Sequence, residues 1–149
     1  MGIGGVTTPT ALLHLAAGTN VASKAPLKFT SGTNTITAEA GTVEYNGSAF
    51  LATPSGTSRY QIAMVLTGSA TLDFPLTAPA TGSDLTITVT GAAVGDVVSV
   101  GTPNGSVNAN TAVFAWVSAA DTVTVRYINY GIAGIDPASG VFNVTVTKN

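Results

Sequence analysis

Three segments in the second half of the chain alternate apolar and polar residues with a period of two. Leu85, Ile87 and Val89 alternate with Thr86, Thr88 and Thr90, and Val123, Val125 and Tyr127 alternate with Thr122, Thr124 and Arg126. Phe142, Val144 and Val146 repeat the arrangement against Asn143, Thr145 and Thr147. Successive side chains of a strand point to opposite faces, so each segment reads as an antiparallel strand buried on one side. Shorter apolar runs at Ala70 to Phe74, Asp96 to Val100 and Thr111 to Val117 add to them. The total, about six or seven strands with turn signals between them, predicts a jelly-roll-like antiparallel β-sandwich over residues 68–149. In Thr111 to Val117, Val113 and Val117 point one way and Phe114 and Trp116 the other, so both faces of this strand are expected to be covered.

Residues 1–67 carry shorter pieces of strand pattern: Leu12 to Leu15, Leu27 to Phe29, Thr42 to Tyr45, Ser48 to Leu51 and Arg59 to Leu66. Helical windows are interrupted throughout by Gly, Pro, Thr and Asn, so the whole chain is expected to be all-β. Asn46-Gly47 is the strongest local signal, because both residues tolerate the positive φ of a type I′ turn. A two-residue turn there pairs Val43 with Phe50 and Tyr45 with Ser48, placing Val43, Tyr45 and Phe50 on one face and Glu44 and Ala49 on the other. An isolated hairpin is marginal in water and its apolar face needs a cover. The 68–149 domain could supply it, and so could neighbouring copies of the chain. Three chains around one axis would bury Leu13, Leu15, Leu27, Phe29, Val43, Tyr45 and Phe50 as a shared core, which makes residues 1–67 the expected docking and trimerisation segment of an intertwined homotrimer.

Charge sharpens this picture. Only 8% of the 149 residues are charged, against about 25% in ordinary domains, which suits a rigid protein whose faces meet other protein. With five Lys and Arg and a net charge of −2 there is no basic cluster of the kind a phosphate backbone requires, so nucleic acid is not an expected partner. No run approaches the roughly 18 apolar residues of a membrane helix, and no membrane partner is expected. Met1 to Val6 lacks the basic start and apolar core of a secretory signal. The absence of cysteine removes disulfides, thiolate catalysis and Cys-ligated metals together.

Catalytic chemistry is thinly represented. His14 is the one histidine, which excludes a two-His metal site within a chain and leaves no set of His partners. Glu39 and Glu44 could be imagined as a glycosidase pair, but Glu44 lies in the short hairpin, and Asp84, Asp96, Asp121 and Asp136 are expected at strand edges or turns, where Asp caps the backbone. No Asp-x-Asp-x-Asp-Gly spacing marks a calcium loop. Ile3-Gly4-Gly5 and Gly131 to Gly134 lack the helix and lysine of a phosphate-binding loop. The expectation is no enzyme, no cofactor and no metal. Trp116, Tyr127 and Tyr130 form a possible aromatic platform for a glycan, although aromatics in strands are more often core or interface.

Two groups of residues carry a resemblance. The first runs Leu13-His14-Leu15-Ala16-Ala17-Gly18-Thr19, Ala25-Pro26-Leu27-Lys28-Phe29-Thr30-Ser31-Gly32, Glu39-Ala40-Gly41-Thr42-Val43-Glu44-Tyr45-Asn46-Gly47 and Thr53-Pro54-Ser55-Gly56. It resembles a stem or linking element of tailed-bacteriophage tail-fibre and related appendage proteins. The second, Asp84 to Val89 and Ile135 to Phe142, resembles a domain that recurs at the ends of such proteins. The resemblance implies a homotrimer on the exterior of the virion whose partners are itself and capsid or tail components. The short chain, without a large N-terminal baseplate anchor, points to a head fibre or capsid decoration protein. The alternative is a receptor-binding tail-fibre tip that recognises host surface polysaccharide.

Overall fold

The computed structural model describes residues 2–3, 5–8 and 10–149. Met1, Gly4 and Pro9 lie outside the described residues, and with them parts of the Met1 to Val6 and Ile3-Gly4-Gly5 readings. The fold is all-β: eleven strands, a single 3-10 turn at Asn104–Ser106 and no α-helix among the described residues. The strands form several small sheets, none of them closed into a barrel. The chain divides into two compact units, Met1–Ile62 and Ala63–Asn149.

In the first unit, β1 (Gly2–Ile3) and β2 (His14–Leu15) form a short parallel pair. β3 (Thr42–Tyr45), β4 (Phe50–Thr53) and β5 (Tyr60–Gln61) form an antiparallel sheet in the order β3-β4-β5. The hairpin between β3 and β4 exists, but its loop is longer than a two-residue turn. Tyr45 pairs with Phe50 and Val43 with Ala52, so Ser48 belongs to the connection. Asn46 is the cause: its Oδ1 accepts from the backbone N–H of Ser48 (3.0 Å) and of Ala49 (2.9 Å), while its own N–H donates to Ala49 O (3.3 Å). Gly47, at φ +96°, completes this side-chain-capped loop. The register moves by two residues and not by one, so Val43, Tyr45 and Phe50 still share a face.

The expected strand at Leu27 to Phe29 is absent. Pro26 lacks an N–H for a ladder, and Phe29 is held instead by its ring, edge-on to Phe50 at 5.6 Å. The expected strand Arg59 to Leu66 is two elements, because pairing stops after Gln61 and resumes at Val65. The boundary therefore falls at Ile62/Ala63 and not at 67/68, which lies inside β6.

The second unit contains β6 (Val65–Leu72), β7 (Thr81–Thr88), β8 (Val97–Gly101), β9 (Thr111–Ala119), β10 (Thr122–Asn129) and β11 (Gly140–Thr147). They form two three-stranded antiparallel sheets, β6-β11-β8 and β7-β10-β9. Only β9 and β10 are consecutive neighbours within a sheet, and the other connections pass from one sheet to the other. Both sheets contribute to one core: Leu72, Ile87, Val117, Val123, Val125, Tyr127, Phe142, Val144 and Val146, with Phe74 and Val89 from adjoining segments. Each apolar partner of the three alternating segments faces this core or packs against it, as period two requires. Phe74 sits between Tyr127 (centroids 5.7 Å) and Phe142 (5.6 Å).

Candidate functional site

The alternation of β3, β4 and β5 places Val43, Tyr45, Phe50, Ala52 and Tyr60 on one face, since Val43 lies opposite Ala52 and Ala52 opposite Tyr60. Ile62 extends the row, its N–H donating to Phe50 O at 2.8 Å. Tyr45 and Phe50 stack at 4.6 Å with their planes 26° apart, and Phe29 closes on Phe50 from the side. Tyr45 is anchored by its hydroxyl, which donates to Gly47 O at 3.0 Å. The face remains open: Val43 is 49% exposed, Phe50 38%, Tyr60 60% and Ile62 45%. Exposed apolar side chains grouped on one face make it the candidate interaction surface of this unit.

Of the seven residues expected to meet neighbouring chains, Phe29, Val43, Tyr45 and Phe50 are thus brought together. Leu15 is half-buried on β2, and Leu13 and Leu27 are exposed at 57% and 61%. Tyr60 and Ile62 are members of the face that sequence reasoning missed. Their signal was the spacing of Tyr60 and Ile62 around Gln61, obscured by reading Arg59 to Leu66 as one strand.

The opposite side of this sheet is held by charge. Glu44 pairs with the Arg59 guanidinium and accepts from the Thr35 backbone N–H (2.8 Å) and hydroxyl (3.0 Å). Arg59 in turn donates to the Thr35 carbonyl and hydroxyl. These bonds, Arg59 first, pull the Glu44 carboxyl down to about 2, so Glu44 is a fixed anion and not a proton donor near neutrality. A carboxyl whose folded value lies below its unfolded one stabilises the fold above the unfolded value and loses that contribution as pH falls through the folded one. Wild type is therefore expected to lose stability relative to Glu44→Gln as pH falls from 4.5 to about 2. Urea midpoints of the two proteins across that range check it.

Asp84, Asp96 and Asp121 are each engaged by partners of the fold. Asp84 lies within strand β7, opposite Arg126, and not at a turn; the facing Arg126 lowers its carboxyl below the usual range. Asp96 accepts from Lys148 Nζ (2.6 Å) and from Ala93 N–H (2.9 Å), tying the chain's end to the loop before β8. Asp121 accepts from Gly91 N–H at 2.6 Å. His14 Nδ1 accepts from the Thr10 N–H at 3.2 Å. Among the described residues no group of three or more His, Cys, Asp or Glu side chains could hold a metal.

The proposed glycan platform does not assemble as expected. Tyr127 is fully buried in the core, its hydroxyl accepting from Asn108 Nδ2 at 3.1 Å, and no sugar reaches it. Its place beside Val123 and Val125 in the alternation already put it on the inward face. Tyr130 is 64% exposed just beyond β10. Trp116 lies on β9, facing away from the core beside Phe114, with which its ring makes a tilted contact at 5.7 Å. Arg126, which sequence reasoning passed over, sits 5.1 Å from the Trp116 ring centre and grips Asp84. No family model, curated protein or solved structure matches this chain.

Proposed function

We propose that the chain is a non-enzymatic structural protein of a tailed-phage virion, a homotrimeric appendage on the particle exterior of the short head-fibre or capsid-decoration kind. The observation that carries this reading is the open face of β3-β4-β5. An aromatic cluster fixed by its own ring contacts, and left facing water, is a surface arranged for a partner. The partner of lowest cost is another copy, because three identical faces around an axis cover one another without a second gene product. The low charge of the chain favours the same conclusion, since few ionic groups need be desolvated when the faces meet.

In this reading the first unit joins the copies and docks them on capsid or tail components. The second unit, a jelly-roll-like sandwich, projects outward. The chemistry in hand agrees: Glu44, Asp84 and Asp96 are each engaged by a cation of the fold and none is poised as a general acid. Gold-labelled antibody against the chain tests the location. Label over the capsid of intact particles is the expected result, and label confined to the tail tip would contradict it. The other reading, a receptor-binding fibre tip, requires a saccharide platform different from the one the burial of Tyr127 removes.

A further inference from the structure

Four strands of the second unit lie at sheet edges, β6 and β8 in one sheet and β7 and β9 in the other. An edge strand offers its unpaired N–H and C=O groups to any further strand, and folds blunt that offer with charge, proline, bulges or shortness, while glycine weakens the strand itself. β6 is interrupted by Gly68, β7 carries Gly82 and Asp84, and β8 has only five residues and ends in Gly101. β9 is the longest of the four at nine residues and contains no glycine, proline or charge.

The ladder shows which groups of β9 are left over. Tyr130 N–H donates to Asn110 O at 2.8 Å. In the register of β10 with β9 the hydrogen-bonded pairs then fall on every second residue: Ala112 with Ile128, Phe114 with Arg126 and Trp116 with Thr124. The N–H and C=O of Val113, Ala115 and Val117 therefore point away from β10, to the side where no strand pairs with β9 among the described residues. The register shift between Thr122 and Val123 lies beyond Val117 and leaves this stretch regular. Val113 and Ala115 pack against the core yet are only half-buried, whereas Val123, Val125 and Tyr127 on the neighbouring central strand are fully buried. The sheet is open at this side.

The open stretch is a palindrome of residue types. Val113-Phe114-Ala115-Trp116-Val117 reads β-branched, aromatic, small, aromatic, β-branched in either direction. Antiparallel pairing with an identical strand about Ala115 sets Val113 opposite Val117 and Ala115 opposite itself, and these are the residues whose N–H and C=O groups are left over, so each such pair exchanges both its hydrogen bonds. Phe114 of each copy then lies opposite Trp116 of the other, in the non-hydrogen-bonded pairs where side chains approach most closely. No like charges meet, because the strand has none and the adjacent pair of Asp84 and Arg126 is closed on itself. A different protein would have to match this order of residues, whereas a second copy matches it by symmetry.

We infer that β9 is a self-association edge, through which two copies of the chain join their β7-β10-β9 sheets into one continuous antiparallel sheet. Only residues of the second unit take part, so the edge stands independently of how the first unit assembles. One strand pair falls short of the roughly 1,200 Å² buried in a stable complex, and the association is therefore weak and set by concentration.

The full chain carrying Phe50→Asp, a substitution in the first unit, separates association through β9 from association through the open face of β3-β4-β5. Its mass in sedimentation equilibrium is expected to rise from one chain to two between low micromolar and hundreds of micromolar. Amide hydrogen exchange on the same samples should show Phe114 and Trp116 slow throughout, and Val113, Ala115 and Val117 passing from fast to slow as concentration rises. Ala115→Pro removes an N–H that the fold itself does not use, so it should keep the mass at one chain with native circular dichroism. Phe114→Ser, which retains every amide, should weaken association about tenfold. A Phe50→Asp protein that is already trimeric when dilute would count against the assembly reading alone, and the change of the three amides with concentration would still decide the role of β9. A mass that stays constant with those amides fast throughout, or protection of Val113, Ala115 and Val117 that does not change on dilution, would overturn the self-association edge. So would a folded Ala115→Pro or Phe114→Ser variant that associates as tightly as its parent.

Discussion

Replacing Phe74 by alanine is expected to destabilise the second unit by about 3–5 kcal/mol. The ring is 2% exposed and fills the space between Tyr127 and Phe142, one of them in each sheet. Its removal forfeits the transfer energy of the side chain and leaves a cavity that two strand-borne rings cannot close, because each is fixed by its own ladder. Against a total stability of about 5–15 kcal/mol for an ordinary domain, that loss lowers the denaturation midpoint steeply. Phe114→Ala, on the outside of β9, is the matched comparison and should cost about 1 kcal/mol or less. Equal losses at the two positions in urea titrations would contradict the assignment of the core.

The second large effect is expected at Asn129, a fully buried polar residue at the end of β10. Its Nδ2 donates to Thr77 O (3.0 Å) and Ala133 O (2.7 Å), and its Oδ1 accepts from Gly131 N–H (2.8 Å). The side chain thus ties the segment before β7 and the loop after β10 to the sheet. Thr77 O also accepts from Ile135 N–H, so Asn129→Ala strands chiefly the Ala133 carbonyl and the Gly131 N–H. Gly131 is half-buried and Ala133 exposed, so water partly replaces the lost bonds and the cost is about 1–3 kcal/mol in all. Asn129→Asp should be worse near neutrality, because a buried carboxylate would face two carbonyls. Burial raises the folded value of such a carboxyl, so the deficit is full above that value and shrinks as pH falls through it. Denaturation of the three proteins at pH 7 and pH 4.5 checks both the order and the pH trend.

The parts of the fold legible in the sequence are those where one rule dominates. In β7, β10 and β11 one face is core and the other is water, and alternation reports that directly. The hairpin at Asn46-Gly47 was legible as a turn but not in its length. The deciding interaction is a side-chain oxygen of Asn46 capping two backbone amides, a local competitor that a turn rule based on φ does not contain. Leu27 to Phe29 looked like a strand by composition, yet nothing supplies it with a ladder partner, and its aromatic ring settles on Phe50 instead. The open face of the first unit was legible in Phe29, Val43, Tyr45 and Phe50. Tyr60 and Ile62 were hidden by the break between β5 and β6.

The outward site shows the opposite lesson. Aromatic type alone grouped Trp116 with Tyr127, which the period-two pattern consigns to the core. Its partners are set by cross-strand register: Arg126 opposite Phe114 and Asp84, and Trp116 one row away. Register depends on a bulge where β10 leaves β9, between Thr122 and Val123, and on the left-handed backbone of Asp121 at φ +58°. Neither can be counted off from residue spacing. Asp84 was expected at a strand edge or a turn and lies within the edge strand β7 as the cross-strand partner of Arg126, where an opposite charge directly across makes it tolerable on an exposed face.

The central claim is that copies of this chain meet through the open face of β3-β4-β5, and its most direct test is the native mass of the protein at low micromolar concentration. The account predicts a mass three times that of the chain for wild type and a single-chain mass for Phe50→Asp, which puts a carboxylate at the centre of the aromatic cluster without touching the second unit's core. A folded wild-type protein that sediments as a monomer, or a Phe50→Asp variant that remains trimeric, would contradict it.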